Sequence, residues 1–106
     1  MVMSHCQRHV LTVLQKPVNF KIGLAYNPEH RWSNPRYGYA LSNMYNAMDV
    51  MAELDTADGA AYLEATLIHR FRDQTGCLNK APGGEGLRGP ATNGPYYVYI
   101  VHGPRH

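Results

Sequence analysis

Apolar and polar residues alternate in several distinct ways along the chain. His9–Leu14 (HVLTVL) is rich in apolar and β-branched residues and predicts a strand. Gln15–Asn19, with Pro17 inside it, predicts a turn. Phe20–Ala25 (FKIGLA) predicts a second short strand, close enough to the first to form a hairpin. Asn27-Pro28-Glu29 is a helix start, with Asn as N-cap, Pro at the first helical position and an acid in the first turn. Pro35 and Gly38 keep that helix short. Tyr39–Asn46 reads as a helical turn, and Ala47–Leu54 (AMDVMAEL) alternates enough to predict a third strand.

The strongest helical signal begins at Asp55 or Thr56, either of which can cap, and runs to about Thr75. Gly76 stands where a helix end favours a left-handed residue. Ala60, Leu63, Leu67, Ile68 and Phe71 recur at helical spacing and define the buried stripe. Cys77–Gly94 holds five glycines and two prolines and predicts a loop, and Pro95–Val101 (PYYVYIV) predicts a last strand. If that strand lies at a sheet edge, two of Tyr96, Tyr97 and Tyr99 face outward and can mediate a homodimer. The order of elements predicts one α+β domain, a small antiparallel or mixed sheet with helices packed on it.

Composition narrows the picture without naming a chemistry. The chain has 106 residues, 44% hydrophobic and 17% charged, as a folded single domain requires. No apolar stretch is long enough to span a bilayer, and Met1–Arg8 has no secretory h-region, so the expected location is the cytoplasm. Cys6 and Cys77 are too few for a disulfide framework. His5-Cys6-x-x-His9 is a weak metal motif with no second pair to close it. Charge is unevenly spread: Tyr37–His69 carries Asp49, Glu53, Asp55, Asp58 and Glu64 and no Lys or Arg, whereas the flanks carry ten bases against three acids. Flanks that meet in space would form a basic face suited to phosphate.

Glu64 lies inside the buried stripe, where a carboxylate is costly unless paired or kept for chemistry. Arg31, on the short helix beside the anchoring Trp32, offers a planar fork for phosphate or carboxylate. Asn79 can hold a loop or bond a phosphate. With Arg36 and Lys80 it completes a candidate nucleic-acid-binding set, and Gly83-Gly84-Glu85-Gly86 would let backbone amides approach a ligand.

Taken together, KIGLAYNPEHRW and YLEATLIHRF resemble the second motif and the later helix of the GIY-YIG nucleases, over roughly His9 to Gly86. Lys21-Ile22-Gly23 stands in the Y-I-G position, and Arg31 follows Gly23 by eight residues. The resemblance implies a metal-dependent endonuclease acting on nucleic acid, DNA rather than RNA. Arg31 would be catalytic, Glu64 would hold Mg²⁺ or Mn²⁺, and Asn79 matches the asparagine after that helix. Two departures accompany it. His9-Val10-Leu11 occupies the G-I-Y region, and Lys21 replaces the tyrosine of the second motif. The general base then falls to His9, His30, Tyr37 or Tyr39, with no spacing that selects among them, and Lys21 either holds phosphate or acts as a desolvated base. Two other functions fit the same sequence: a nucleic-acid-binding module without catalysis, and a protein-interaction domain.

Overall fold

A computed structural model of the chain describes residues 2–79 and 94–105. It is an α+β domain. Helix α1 spans Val2–Val13, strand β1 Val18–Ala25, helix α2 Pro28–Ser33, strand β2 Ala47–Leu54, helix α3 Ala57–Phe71 and strand β3 Tyr96–Pro104. A short 3-10 turn, Tyr39–Leu41, lies between α2 and β2. The strands form one antiparallel sheet in the order β1-β3-β2. No helix among the described residues is long and apolar enough to cross a membrane.

The two faces of the sheet carry separate cores. Phe20, Ile22 and Leu24 of β1 and Tyr96, Val98 and Ile100 of β3 point to one face, where Cys6 and Val10 of α1 and the stripe of α3 cover them. The pleat sends Ala25, Tyr99 and Val101 to the other face, where Tyr45 joins them and Trp32, Tyr39, Met48 and Leu78 pack alongside. On this second face α2 and the chain leading into β2 stand in place of a long helix.

Several elements match the sequence pattern closely. β2 covers the expected Ala47–Leu54, with a register shift between Val50 and Ala52. Met51, at that shift, is buried in the first core. Asn27 caps α2 through its side chain, which accepts from His30 N, and Thr56 caps α3 by accepting from Gly59 N.

Other elements differ for identifiable reasons. His9–Leu14 belongs to α1 and is not a strand. The β-branched run HVLTVL hid a longer helical period, in which Met3, Cys6, Val10 and Val13 reach the first core. Without that strand there is no hairpin, and β1 pairs instead with β3, Gly23 opposite Tyr99 and Lys21 opposite Val101. β3 is therefore the central strand and not an edge, nor the C-terminal addition to a minimal domain that the resemblance implies. Both its backbone edges are bonded, to β1 and β2, so edge-to-edge pairing of a second copy through this strand is closed. Helix α3 stops at Phe71, short of Thr75, and turns lead to Gly76. Gly76 has φ 92° and lies against the Val18 carbonyl, where a Cβ would collide. Its own carbonyl accepts from Phe20 N.

Candidate functional site

The second face gathers several of the residues singled out by the sequence. Lys21 and Gly23 project to it from β1, and β3 sends Tyr99 to the same side. A Cβ at Gly23 would run into the hydroxyl and ring of Tyr99. The glycine of the KIG motif is thus the space in which a phenol lies across the strand. Tyr99 Oη donates to Tyr39 Oη at 3.2 Å, and the two rings meet edge to face with centroids 6.0 Å apart. Lys21 Nζ sits 5.4 Å from the centre of the Tyr39 ring, a cation–π distance. Tyr45 also meets Tyr39 edge to face, with ring centroids 5.6 Å apart. A cation and two linked hydroxyls therefore share one small area of the sheet.

Helix α2 leaves the end of β1 and is anchored to this face by Trp32. Arg31 is its half-buried neighbour, and Arg36 lies exposed in the turn that follows. Asn34 organises that turn. Its backbone N donates to His30 O, its Oδ1 accepts from both Arg36 N and Tyr37 N, and its carbonyl accepts from Gly38 N. With Oδ1 so engaged, the amide nitrogen faces His30 and can only donate, to Nε2 at 3.0 Å. His30 Nε2 is then an unprotonated acceptor, and Tyr37 Oη donates to it at 2.8 Å. Two of the candidate bases, His30 and Tyr37, are thus a bonded pair.

The other candidates lie elsewhere. His9 is on the first face, where its Nε2 and that of His102 both meet Asp49 Oδ2, at 2.8 and 3.0 Å. A carboxylate only accepts, so both imidazoles donate through Nε2. Burial alone would raise the Asp49 pKa. The hydrogen bonds from His9 and His102, together with their charge, outweigh it and hold the carboxyl below its usual 3.8. This contact joins α1, β2 and β3. The His5-Cys6-x-x-His9 motif does not assemble: Cys6 is fully buried, donates to the Met51 carbonyl at 3.8 Å, and has its thiol pushed up by that burial, while His5 is exposed.

Asn79 has the loop-holding role. Its Oδ1 accepts from Ile22 N at 2.9 Å and its Nδ2 donates to Ile22 O at 2.8 Å. The side-chain amide so imitates one residue of a neighbouring strand along the outer edge of β1, continuing the contact begun by Cys77 against Phe20. Lys80 and the Gly83–Gly86 stretch lie outside the described residues.

Glu64 is 1% exposed, buried with the α3 stripe that covers the first face. Trp32 and that stripe anchor α2 and α3 to opposite faces of the sheet. Mg²⁺ takes about six oxygen ligands, several of them water. Glu64 is closed to water, and the described residues contain no group of three or more His, Cys, Asp or Glu able to hold an ion. The described residues do not complete a site for Mg²⁺ or Mn²⁺, and no step below passes through one.

Tyr99 stands in the sequence only as a candidate for a dimer face, and its place over Gly23 was missed. One signal could have found it: PYYVYIV places Tyr97, Tyr99 and Val101 on one side of a strand, and a glycine inside the apolar strand FKIGLA asks for a bulky neighbour across it. The geometry defines a small α+β domain with a lysine–tyrosine cluster on the face away from its long helices. No protein-family profile, curated protein or solved structure matches the chain.

Proposed function

We propose that this chain is a nuclease-like domain directed at the phosphodiester backbone of nucleic acid, with DNA as the preferred substrate. The observation that carries the reading is Tyr99 lying over Gly23. The resemblance to the GIY-YIG nucleases lacked its motif tyrosines, and its first-motif strand was expected to pair with the KIG strand as a hairpin. Here the antiparallel partner of the KIG strand is β3, and it brings a phenol to the motif glycine. The aromatic group is supplied from the far end of the chain.

In this reading Lys21 and Arg31 bind the phosphate oxygens and offset the charge that grows on them during attack. The Tyr39 hydroxyl, held by the buried Tyr99 beside the Lys21 cation, orients the attacking water, whose proton leaves to solvent.

Plasmid nicking in Mg²⁺ or Mn²⁺ is the direct test. Wild type should convert supercoiled to open-circular DNA. Arg31→Ala and Lys21→Ala should each be slower by about a hundredfold, and Tyr99→Phe by about tenfold or more. Equal rates in wild type and all three variants would end the nuclease reading.

The burial of Glu64 favours one other function: a domain that binds nucleic acid without cutting it. That reading expects no nicking in any metal together with binding that weakens steeply as salt rises, because phosphate contacts release counterions. Binding insensitive to salt would remove it.

A further inference from the structure

The His30–Tyr37 pair has the arrangement of an activated nucleophile. A phenol is a weak nucleophile until a base takes its proton, and the recognisable arrangement is a hydroxyl hydrogen-bonded to a base that a third group orients. Tyr37 Oη donates to His30 Nε2 at 2.8 Å. Asn34 is the third group: its amide N–H shares the Nε2 lone pair with the Tyr37 hydroxyl and so holds the ring in place, and it must give way as the Tyr37 proton arrives. The turn is fixed by the bonds from Arg36 N, Tyr37 N and Gly38 N to Asn34, and a Cβ at Gly38 would crowd the Trp32 carbonyl and the Asn34 backbone. This order is built at the surface: Tyr37 is 60% exposed, so its hydroxyl is open to a large substrate while it stays bonded to the imidazole. An exposed hydrogen bond contributes little to stability, which makes stability a poor reason for so many bonds converging on Asn34. Arg31 and Arg36 adjoin the pair in the chain, and Glu29 is the one acid between Tyr26 and Met48.

We infer that Tyr37 is a nucleophile toward a phosphodiester, with His30 as its base and Asn34 as the positioning residue, so that a strand becomes covalently linked to the protein. This inference rests on the phosphodiester-directed reading above, and it replaces water with a side chain as the attacking group. The Tyr37 Oη proton passes to His30 Nε2 and an Oη–P bond forms. The P–O bond to the leaving sugar oxygen breaks, that oxygen takes a proton from water, and the imidazolium returns its proton to solvent. No oxidant, reductant or metal is consumed. Attack by the freed sugar hydroxyl reverses the step, and attack by water on the phosphotyrosine releases the protein.

The test uses the full chain with fluorophore-labelled oligonucleotides, single-stranded and duplex, labelled at one end or the other. One set carries a bridging phosphorothiolate, whose departing thiolate traps the linked state. Reactions in Mg²⁺ and in EDTA are quenched in denaturant, and label migrating with the protein is scored. The expected result is a protein-linked band in both buffers, mapped to the Tyr37 peptide by mass spectrometry. It should be absent from Tyr37→Phe and about a hundredfold weaker in His30→Ala. Asn34→Ala should keep the band but shift the pH dependence of its formation, because the amide no longer shares the Nε2 lone pair. Plasmid nicking without any linked label would overturn the inference and leave the nuclease reading standing. A linked band that persists in Tyr37→Phe would also overturn it. Oligonucleotide binding with neither nicking nor linkage would overturn both.

Discussion

The two faces of the sheet are built on different principles. The face under α1 and α3 is a continuous apolar core: Phe20, Ile22, Leu24, Val98 and Ile100 meet Val10, Leu63, Leu67, Ile68 and Phe71, each at most 4% exposed. The opposite face is small and aromatic, made of Tyr39, Tyr45 and Tyr99 around Gly23, with Lys21 at its margin and a short helix and turns for a lid. Hydrophobic burial scales with apolar area, so the first face carries most of the stability. The second face carries buried tyrosines, a cation at its margin and, close to solvent, the bonded His30–Tyr37 pair. Stability and candidate chemistry are thus divided across a single layer of backbone, and a substitution on one side should leave the other side's property largely intact.

The sharpest way to break that division is to cut into the first core. Leu67 is fully buried in the α3 stripe. Leu67→Ala should cost about 3 kcal/mol, the transfer term plus a cavity. Urea denaturation should show the loss with an unchanged slope. A loss below about 1 kcal/mol would mean that the helix-covered face is not the main source of stability.

The second face is tested next, at the contact between Gly23 and Tyr99. Gly23→Ala places a methyl group where the phenol lies, and overpacking of this kind costs about 2 kcal/mol. In a Tyr99→Leu background the same alanine should cost little. The double-mutant cycle then reports a coupling of about 1 kcal/mol or more. Additive effects would show that Tyr99 does not occupy the space over the motif glycine.

What the sequence revealed and what it hid follow the same division. β2, the caps at Asn27 and Thr56 and the buried stripe of α3 were all legible, because each depends on residues near in sequence. The α1 error came from reading HVLTVL by β propensity over six residues, too short a window for a helical period. The place of β3 was hidden for another reason. A central strand formed by the last segment depends on pairing across the whole chain, which no local pattern encodes. Without that pairing, nothing in the sequence connects Tyr99 with Gly23. The pairing of His30 with Tyr37 was equally invisible, since it requires the turn that Asn34 and Gly38 close. The burial of Glu64 was legible from its place in the α3 stripe, but the sequence did not indicate that this stripe would cover the face opposite the one that anchors Trp32.

The outer edge of β1 links the two faces and offers a smaller test. Asn79 satisfies both the N–H and the C=O of Ile22. Asn79→Ala should cost about 1–2 kcal/mol, two hydrogen bonds offset in part by water. Amide exchange at Ile22 should accelerate, while Leu24, bonded within the sheet, stays protected. Uniform acceleration along β1 would show that the edge contact holds the whole strand rather than one position.

The smallest effect belongs to the contact of His9 and His102 with Asp49, and pH separates it from packing. The Asp49 carboxyl is held below its usual 3.8 in the folded chain. A group whose folded pKa is depressed stabilises the fold fully above its unfolded value, and that contribution fades as pH falls through the lower, folded value. Asp49 is about a third exposed, so solvent screens the contact and its worth is about 0.5 kcal/mol. Asp49→Asn should therefore lie about that far below wild type near neutral pH. The gap should close as the pH drops below 3.8, where the wild-type carboxyl also becomes neutral. Denaturant midpoints measured for both proteins across the acid range would follow it. A gap that stays constant with pH would make the contact one of shape and packing, with the carboxylate charge playing no part in holding α1 to the sheet.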